Sequence, residues 1–552
     1  MTVPRFNPAG RFDPAALFHP ASIAVIGAET DAGSRIMANL VMGGFRGPIH
    51  TSVTENTALA VLAVPPEQVG PAMTELGRVR CFAAIVPGAA DDLAAHAVRT
   101  GVRVLGPYSC GLAVPALHLN ATRSHIPPPA GRLALICQSA ALSRVVIDWA
   151  EPNGVGFSHI VGLGGNADIG FGITLDWLSR DPGTGAILLD IRRIKDHRRF
   201  LSAARAAAKL RPVVAIRPGL RLLDDGDSDL MFEAALRRAG VLYVKRLEDL
   251  LAAAGTLSRA RPARHGSLAI VSNAIDPGRL AADAVLREGL ELLPDADGVL
   301  LAEDTGLAAS AFDLAARPDI GGVLVVHTPE GADDAATIAA LAVPHKDLRA
   351  PVLVCAMGET TGSAHRVTLA RAGLPVFATP DQAVQGFEFL VRDHRNREAA
   401  RELPPSTVVD LLPERERVRR CFAGMRAQGR LTLMQDEALG VLSAYGIPVV
   451  PTRFAAGVPD AADAAALLGF PVVVKRRDSV APVDRLLGGL VLDLHDAAQV
   501  TEAAGLLSTR AQRRGGVAEL LVQRVVGRAR EVAVRVADDA TFGPVISFGG
   551  GG

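Results

Sequence analysis

Short apolar runs alternate with Ala-rich stretches of helical period along most of the chain. The runs include Ser22–Ala28 (SIAVIGA), Ala58–Pro65, Val102–Pro107, Gly131–Cys137, Gly185–Ile191 and Arg211–Gly219. They are continuously apolar rather than alternating, which predicts strands buried on both faces, as in parallel sheets covered by helices. Four runs recur in the same order. Gly131–Ser139 (GRLALICQS) is echoed by Gly266–Asn273 (GSLAIVSN), Gly185 onward by Gly322 onward, Pro212 by Pro351 and Gly240 by Gly373, at offsets of 135, 137, 139 and 133 residues. A near-constant offset predicts two copies of one doubly wound α/β domain.

Between Arg392 and Arg430 the sequence turns charged and carries Pro404-Pro405, which predicts a linker followed by a polar helix. A further domain is expected to begin near Leu431. There an amphipathic helix capped by Gly446 precedes Leu467–Asp478 (LLGFPVVVKRRD), a buried strand running into a lysine.

The 552 residues are 49% hydrophobic and 21% charged, enough for several domains with large cores. Net charge is zero, pI is about 7.2 and aromatics make up 4%, so nothing favours nucleic acid or an anionic membrane as a partner. The five cysteines form no CxxC pair, which predicts reduced thiols without zinc or disulfides. With no signal-like segment or long apolar stretch in view, a cytoplasmic location is expected.

Three motifs could carry chemistry. In Gly27–Gly33 (GAETDAG) a glycine turn after a strand lets backbone amides approach a phosphate at a helix N-terminus, although the spacing is not GxGxxG. Gln138 and Ser139 follow another buried strand, where amides and hydroxyls suit an anion; Ser143 reads equally as a helix N-cap. Lys475 stands at a strand end, suited to nucleotide phosphates or to solvent. The thirteen histidines show no metal-ligand spacing, and nearly all read as surface or satisfied core residues.

In their order these pieces resemble the ADP-forming acyl-CoA synthetases, relatives of succinyl-CoA synthetase. The resemblance rests on Leu17–Ala28 (LFHPASIAVIGA), Leu105–Leu112 (LGPYSCGL), Leu135–Ala141 (LICQSAA), Gly156–Ser158, Leu163–Asp168 (LGGNAD), Phe470–Lys475 (FPVVVK), Leu521–Gln523, Glu531 and Phe542–Pro544. It implies an α/β fold with a Rossmann-like CoA-binding domain at 12–125, two flavodoxin-like domains at 126–262 and 263–400, a linker at 401–430 and part of an ATP-grasp domain at 431–552. It implies cofactor-binding positions at Gly27, Ala28, Pro87, Gly88, Gln138, Ser139, Lys475, Gln523 and Glu531, for CoA or acetyl-CoA and for weakly held ATP or ADP. The expected partner is a small acyl-CoA, with neither nucleic acid nor membrane, and with self-association or an acetyltransferase domain as protein partners.

Departures from the family pattern matter as much. The family carries phosphate on a histidine before an Ala-rich helix, but Arg217–Ala235 contains none; Asp224, Asp225, Asp227 and Asp229 stand there and are expected to repel phosphate. Arg192 occupies the place of the glutamate that supports that histidine. The stretch after Gly47 is short by about one strand and a loop. The family's metal-binding carboxylates lie beyond the last residue of this chain, so no metal ligand and no catalytic residue is assigned and the sequence reads as a fragment. QSA in place of QSG, with Asp148-Trp149 after it, is similar to the synthetase-like region of Pat-type lysine acetyltransferases. A CoA-binding regulatory region inactive as a ligase is therefore the leading expectation, an active acetate or acyl-CoA ligase the first alternative and a non-binding fragment the second.

Overall fold

The computed structural model describes residues 14–219, 227–293, 298–331, 334–344, 348–402, 414–477, 488–513, 519–527, 529–539 and 542–551. The chain divides into two compact units, 1–402 with 537–545, and 403–536 with 546–552.

The first unit holds three sheets. The first is parallel, with β1 (Ile23–Ile26), β2 (Ile49–His50), β3 (Leu59–Leu62), β4 (Ala83–Ile85) and β5 (Arg103–Leu105) in the order β2-β1-β3-β4-β5. The short stretch after Gly47 thus still supplies an edge strand, two residues long. The second sheet contains β6 (Gly111–Val114), β7 (Leu119–Thr122), β8 (Ala130–Cys137), β9 (Phe157–Gly162), β10 (Ala186–Asp190), β11 (Val213–Ile216) and β12 (Leu242–Val244) in the order β12-β11-β10-β8-β9-β6-β7. The hairpin β6–β7 lies before the boundary expected at 125/126, yet β6 pairs antiparallel with β9 and so completes the second sheet.

The third sheet has β13 (Ser267–Ser272), β14 (Glu291–Leu292), β15 (Leu300–Leu301), β16 (Gly322–His327), β17 (Val352–Ala356) and β18 (Val376–Phe377). Its order, β14-β13-β16-β17-β18, reproduces β9-β8-β10-β11-β12 strand for strand, with β15 added beside β13. The repeat read from the apolar runs is therefore a real duplication of topology. The central strands bury every residue: β10, β11, β13, β16 and β17 show no exposed position, as continuous apolar runs between two helical layers require. The helix Pro380–Arg401 seals the two copies together. Phe387, Phe389 and Leu390 enter their shared core, while Asn396 Nδ2 donates to Val241 O (3.2 Å) and Arg397 Nε to Ala208 O (2.8 Å).

In the second unit the polar helix expected in the linker spans Arg415–Ala427; residues 403–413 lie outside the described residues. The expected amphipathic helix runs over Gln435–Ala444, with the Glu437 carboxylate accepting from Met434 N (2.8 Å) at its start. A four-stranded antiparallel sheet follows: β19 (Thr452–Ala455), β20 (Val472–Arg476), β21 (Leu490–Leu494) and β22 (Leu520–Arg524), ordered β19-β22-β20-β21. The helices Val458–Leu468 and Ala497–Gln512 cover it with alanines and leucines. The hairpin β23 (Val532–Asp539) and β24 (Gly543–Gly550) follows in sequence, its residues 537–545 belonging to the first unit. Among the described residues no helix is long and apolar enough to cross a membrane.

Candidate functional site

Parallel strands discharge their loops at one edge, and in the first unit the carboxyl edges of the first two sheets meet. Gly106–Tyr108, after β5, is bound on both sides. Tyr108 N donates to Gly88 O (2.9 Å), Gly165 N to Pro107 O (2.6 Å) and Ala167 N to Gly106 O (2.9 Å). Arg103 grips Asp168 with two bonds of 2.8 and 2.9 Å, and Val104 N donates to the same carboxylate (2.9 Å). The sequence motifs at 105–112 and 163–168 are thus two halves of one clasp. Tyr108 sits at its lip, 61% exposed, at φ +57°, a backbone conformation costly for an aromatic residue and common near ligand sites.

Pro87 and Gly88 stand at this edge, with open space where a side chain of Gly88 would lie. Gly27 and Ala28 close the neighbouring turn after β1. Gly27 has φ +81°, and a Cβ on it would lie 2.3 Å from Ala63 O. Its requirement for glycine therefore comes from its own sheet, before any ligand is considered. The Thr30 hydroxyl bonds Gly27 O (2.8 Å) and Ala63 O (3.0 Å) and caps the following helix.

Gln138 and Ser139 form the turn between β8 and the helix Ala140–Ala150. Ser139 is the N-cap, its Oγ accepting from Leu142 N (3.2 Å), whereas Ser143 is buried in the first turn and bonds back to Ala140 O (2.9 Å). The capping role expected of Ser143 belongs to Ser139, because the strand ends at Cys137 and the turn is only two residues long. The amides of Gln138 and Ser139, expected to face an anion, donate to Asp190 Oδ2 (3.2 and 2.8 Å). Burial raises the pKa of Asp190, and its second oxygen makes no hydrogen bond among the described residues. The Gln138 side chain accepts from Arg192 N (2.6 Å) and Arg193 N (2.9 Å) and donates to Gly164 O (3.3 Å), binding three loops at the carboxyl edge. Arg192, at the position of the family's glutamate, therefore lies directly against Gln138.

Of the acidic run expected to repel phosphate, Asp229 is paired within the fold. Lys245 Nζ lies 3.5 Å from it and Tyr243 donates to it at 3.1 Å. Asp224 and Asp225 lie outside the described residues, as does the side chain of Asp227.

In the second unit Lys475, half-buried on β20, donates to Gln523 Oε1 on β22 at 2.6 Å; burial lowers its pKa. The antiparallel register sets Lys475 against Leu521 and brings the two side chains to one face. Glu531 is exposed at the start of the terminal hairpin, its carbonyl accepting from Gly551 N (3.0 Å), and is not drawn into the Lys475–Gln523 pair.

Two buried histidines are exceptions to the expectation that nearly all are exposed or satisfied. His159 and His327 make no ring hydrogen bond among the described residues. Their carboxylate neighbours match no recognised ligand spacing, so the sequence alone could not reveal them. Cys110 and Cys137, 27 residues apart in sequence, likewise meet at 3.4 Å as free thiols.

Two α/β copies and a Rossmann-like sheet in the first unit, and an antiparallel sheet covered by helices in the second, are the parts that can be set beside known proteins. Residues 130–257 match the succinyl-CoA ligase like flavodoxin domain and residues 424–552 an ATP-grasp domain. The chain is 30% identical to acetate–CoA ligase [ADP-forming] I of Archaeoglobus fulgidus, over 96% of this chain and 85% of that protein. It is 24% identical to the 4-hydroxybutyrate–CoA ligase [ADP-forming] of Nitrosopumilus maritimus, over 96% and 86%. The fold is shared with the dinucleotide-forming acetyl-coenzyme A synthetase 1 of Ca. Korarchaeum cryptofilum, solved with phosphate and ADP, at TM-score 0.64 and 22% identity over 71% of this chain and 98% of that one. The chain belongs to the ADP-forming acyl-CoA synthetase family.

Proposed function

We propose that the chain is an acid–CoA ligase of the ADP-forming type, handling CoA and the acyl group in its first unit and adenine nucleotide in its second. The observation that carries this reading is the continuity of the match to acetate–CoA ligase across both units. The clasp at Gly88, Tyr108 and Gly165 supports CoA binding there, with Gly27, Ala28, Pro87, Gln138 and Ser139 around it. The Lys475–Gln523 pair supports nucleotide binding, because a lysine fixed at a strand end offers a localised positive charge to phosphate. The test is to incubate the full chain with ATP, Mg²⁺, CoA and a panel of carboxylic acids, measuring ADP and thioester together.

A second reading is favoured by one observation: Arg217–Ala235 contains no histidine, and Arg192 replaces its supporting glutamate. On this reading the chain binds acyl-CoA without relaying phosphate, as the Pat-like features would have it. An acetyltransferase connection is not supported. The relatives named above are ligases, and Asp148-Trp149 have structural places, Asp148 lying 3.5 Å from His125 and Trp149 against the core. The same assay separates the readings: acetyl-CoA binding with no acid-dependent ADP selects the second.

A further inference from the structure

His327 ends β16 at the centre of the third sheet and is fully buried. A buried imidazole without partners forfeits the free energy of its lost hydration, so such a group calls for an explanation. Two carboxylates face it. Asp304, the first residue of the helix Asp304–Ala316, has Oδ1 3.9 Å from His327 Nε2; Asp334, the first residue of the helix Asp334–Leu341, has Oδ1 3.7 Å away. One donor atom from each residue lies within 4.8 Å of the other two. The separations exceed hydrogen-bonding distance, yet they suit donors arranged around a common ion.

Both carboxylates are oriented by contacts of their own. Asn273 Nδ2 donates to Asp304 Oδ1 (2.9 Å), and the same Asn273 clamps Thr328 through its amide and carbonyl (2.9 and 2.7 Å). Glu330 N donates to Asp334 Oδ1 (3.0 Å). Outer bonds of this kind fix ligand carboxylates in metal centres. The His365 ring stands edge-on 5.5 Å from that of His327, and its Nδ1 is also without a partner among the described residues.

Position supports a site as well. In α/β sheets ligands gather at the carboxyl ends of the strands. The repeat offset of 137 residues places His327 where the second sheet has Asp190. One copy spends that position on the amides of Gln138 and Ser139; the other points it at two acids.

We propose that Asp304, His327 and Asp334 bind one divalent first-row transition ion. One imidazole with two carboxylates is a mixed nitrogen–oxygen set suited to ions of the Zn²⁺ or Mn²⁺ kind rather than to Mg²⁺ or Ca²⁺ alone. Bonds of about 2.0–2.2 Å would draw the three donors slightly together and leave positions open to water.

The test uses the purified full chain, freed of metal and nucleotide. It is titrated with Co²⁺, followed by its visible ligand-field bands, and with Zn²⁺ by calorimetry. One equivalent is expected to bind, at least tenfold more weakly in Asp334→Asn and in His327→Gln, and unchanged in His495→Gln, which removes an exposed histidine of the other unit. Asp304→Asn, nearly isosteric and able to keep a contact with Asn273, serves should His327→Gln fail to fold, and is expected to weaken binding equally. No uptake by the wild type at micromolar metal, or equal uptake by wild type, Asp334→Asn and Asp304→Asn, would overturn the proposal.

Discussion

A Cβ at Gly27 would collide with Ala63 O, so the conformation rather than the ligand demands glycine there. Gly27→Val is accordingly expected to lower the melting temperature of the ligand-free chain; an unchanged melt with loss of acetyl-CoA stabilisation alone would return the residue to the binding site. His159 is a second case in which surroundings decide the chemistry. Burial pushes its pKa down to about 4, and Asp181, 3.7 Å away, only partly opposes this. The unfolded chain therefore takes up a proton near pH 6.5 that the folded chain refuses. The stability this neutral ring allows is present above 6.5 and lost as pH falls toward about 4. Asp393, raised to about 6 by burial, works in the opposite direction, so the effect is read against a variant. The stability difference between wild type and His159→Gln should shift against the wild type between pH 6.5 and 4, and a pH-independent difference would refute the assignment. Glu437 behaves as an ordinary paired carboxylate. Arg430 holds its pKa near 2, and its contribution persists above about 4.5, declining only as pH falls toward 2.

At the scale of elements, the apolar runs were enough to reveal the parallel strands and their duplication, because a strand buried on both faces tolerates little else. They could not show that β6 and β7 cross to the second sheet, since a four-residue apolar strand carries no mark of its partner. Nor could they show that Asp190 takes the amides at the start of Ala140–Ala150, for strand and helix are separated by 51 residues at that contact. The Lys475–Gln523 pair was half legible: each residue stood out in its motif, but the register that joins them belongs to the fold. The clasp of Arg103 on Asp168 joins the first sheet to the second and is largely shielded from solvent. Asp168→Ala removes three hydrogen bonds at once, and a loss of about 2–4 kcal/mol in the first unit is expected from charge-assisted bonds of this geometry. Arg103→Ala should cost nearly as much and the double variant little more; additive losses, measured by denaturant unfolding, would show that the two side chains do not act as a pair.

For the whole molecule, two kinds of evidence pull on the function. Continuous similarity to an ADP-forming acetate–CoA ligase speaks for turnover, while the histidine-free stretch at Arg217–Ala235 speaks against a relay carried by this chain. The decisive measurement is the coupled assay on the full chain with ATP, Mg²⁺, CoA and a panel of short-chain and aromatic acids, scoring ADP and acyl-CoA in the same samples. The ligase account predicts equal amounts of the two products, formed only when acid, CoA and ATP are all present and diminished at least tenfold in Lys475→Ala. Saturable acetyl-CoA binding with no acid-dependent ADP across the panel would contradict it.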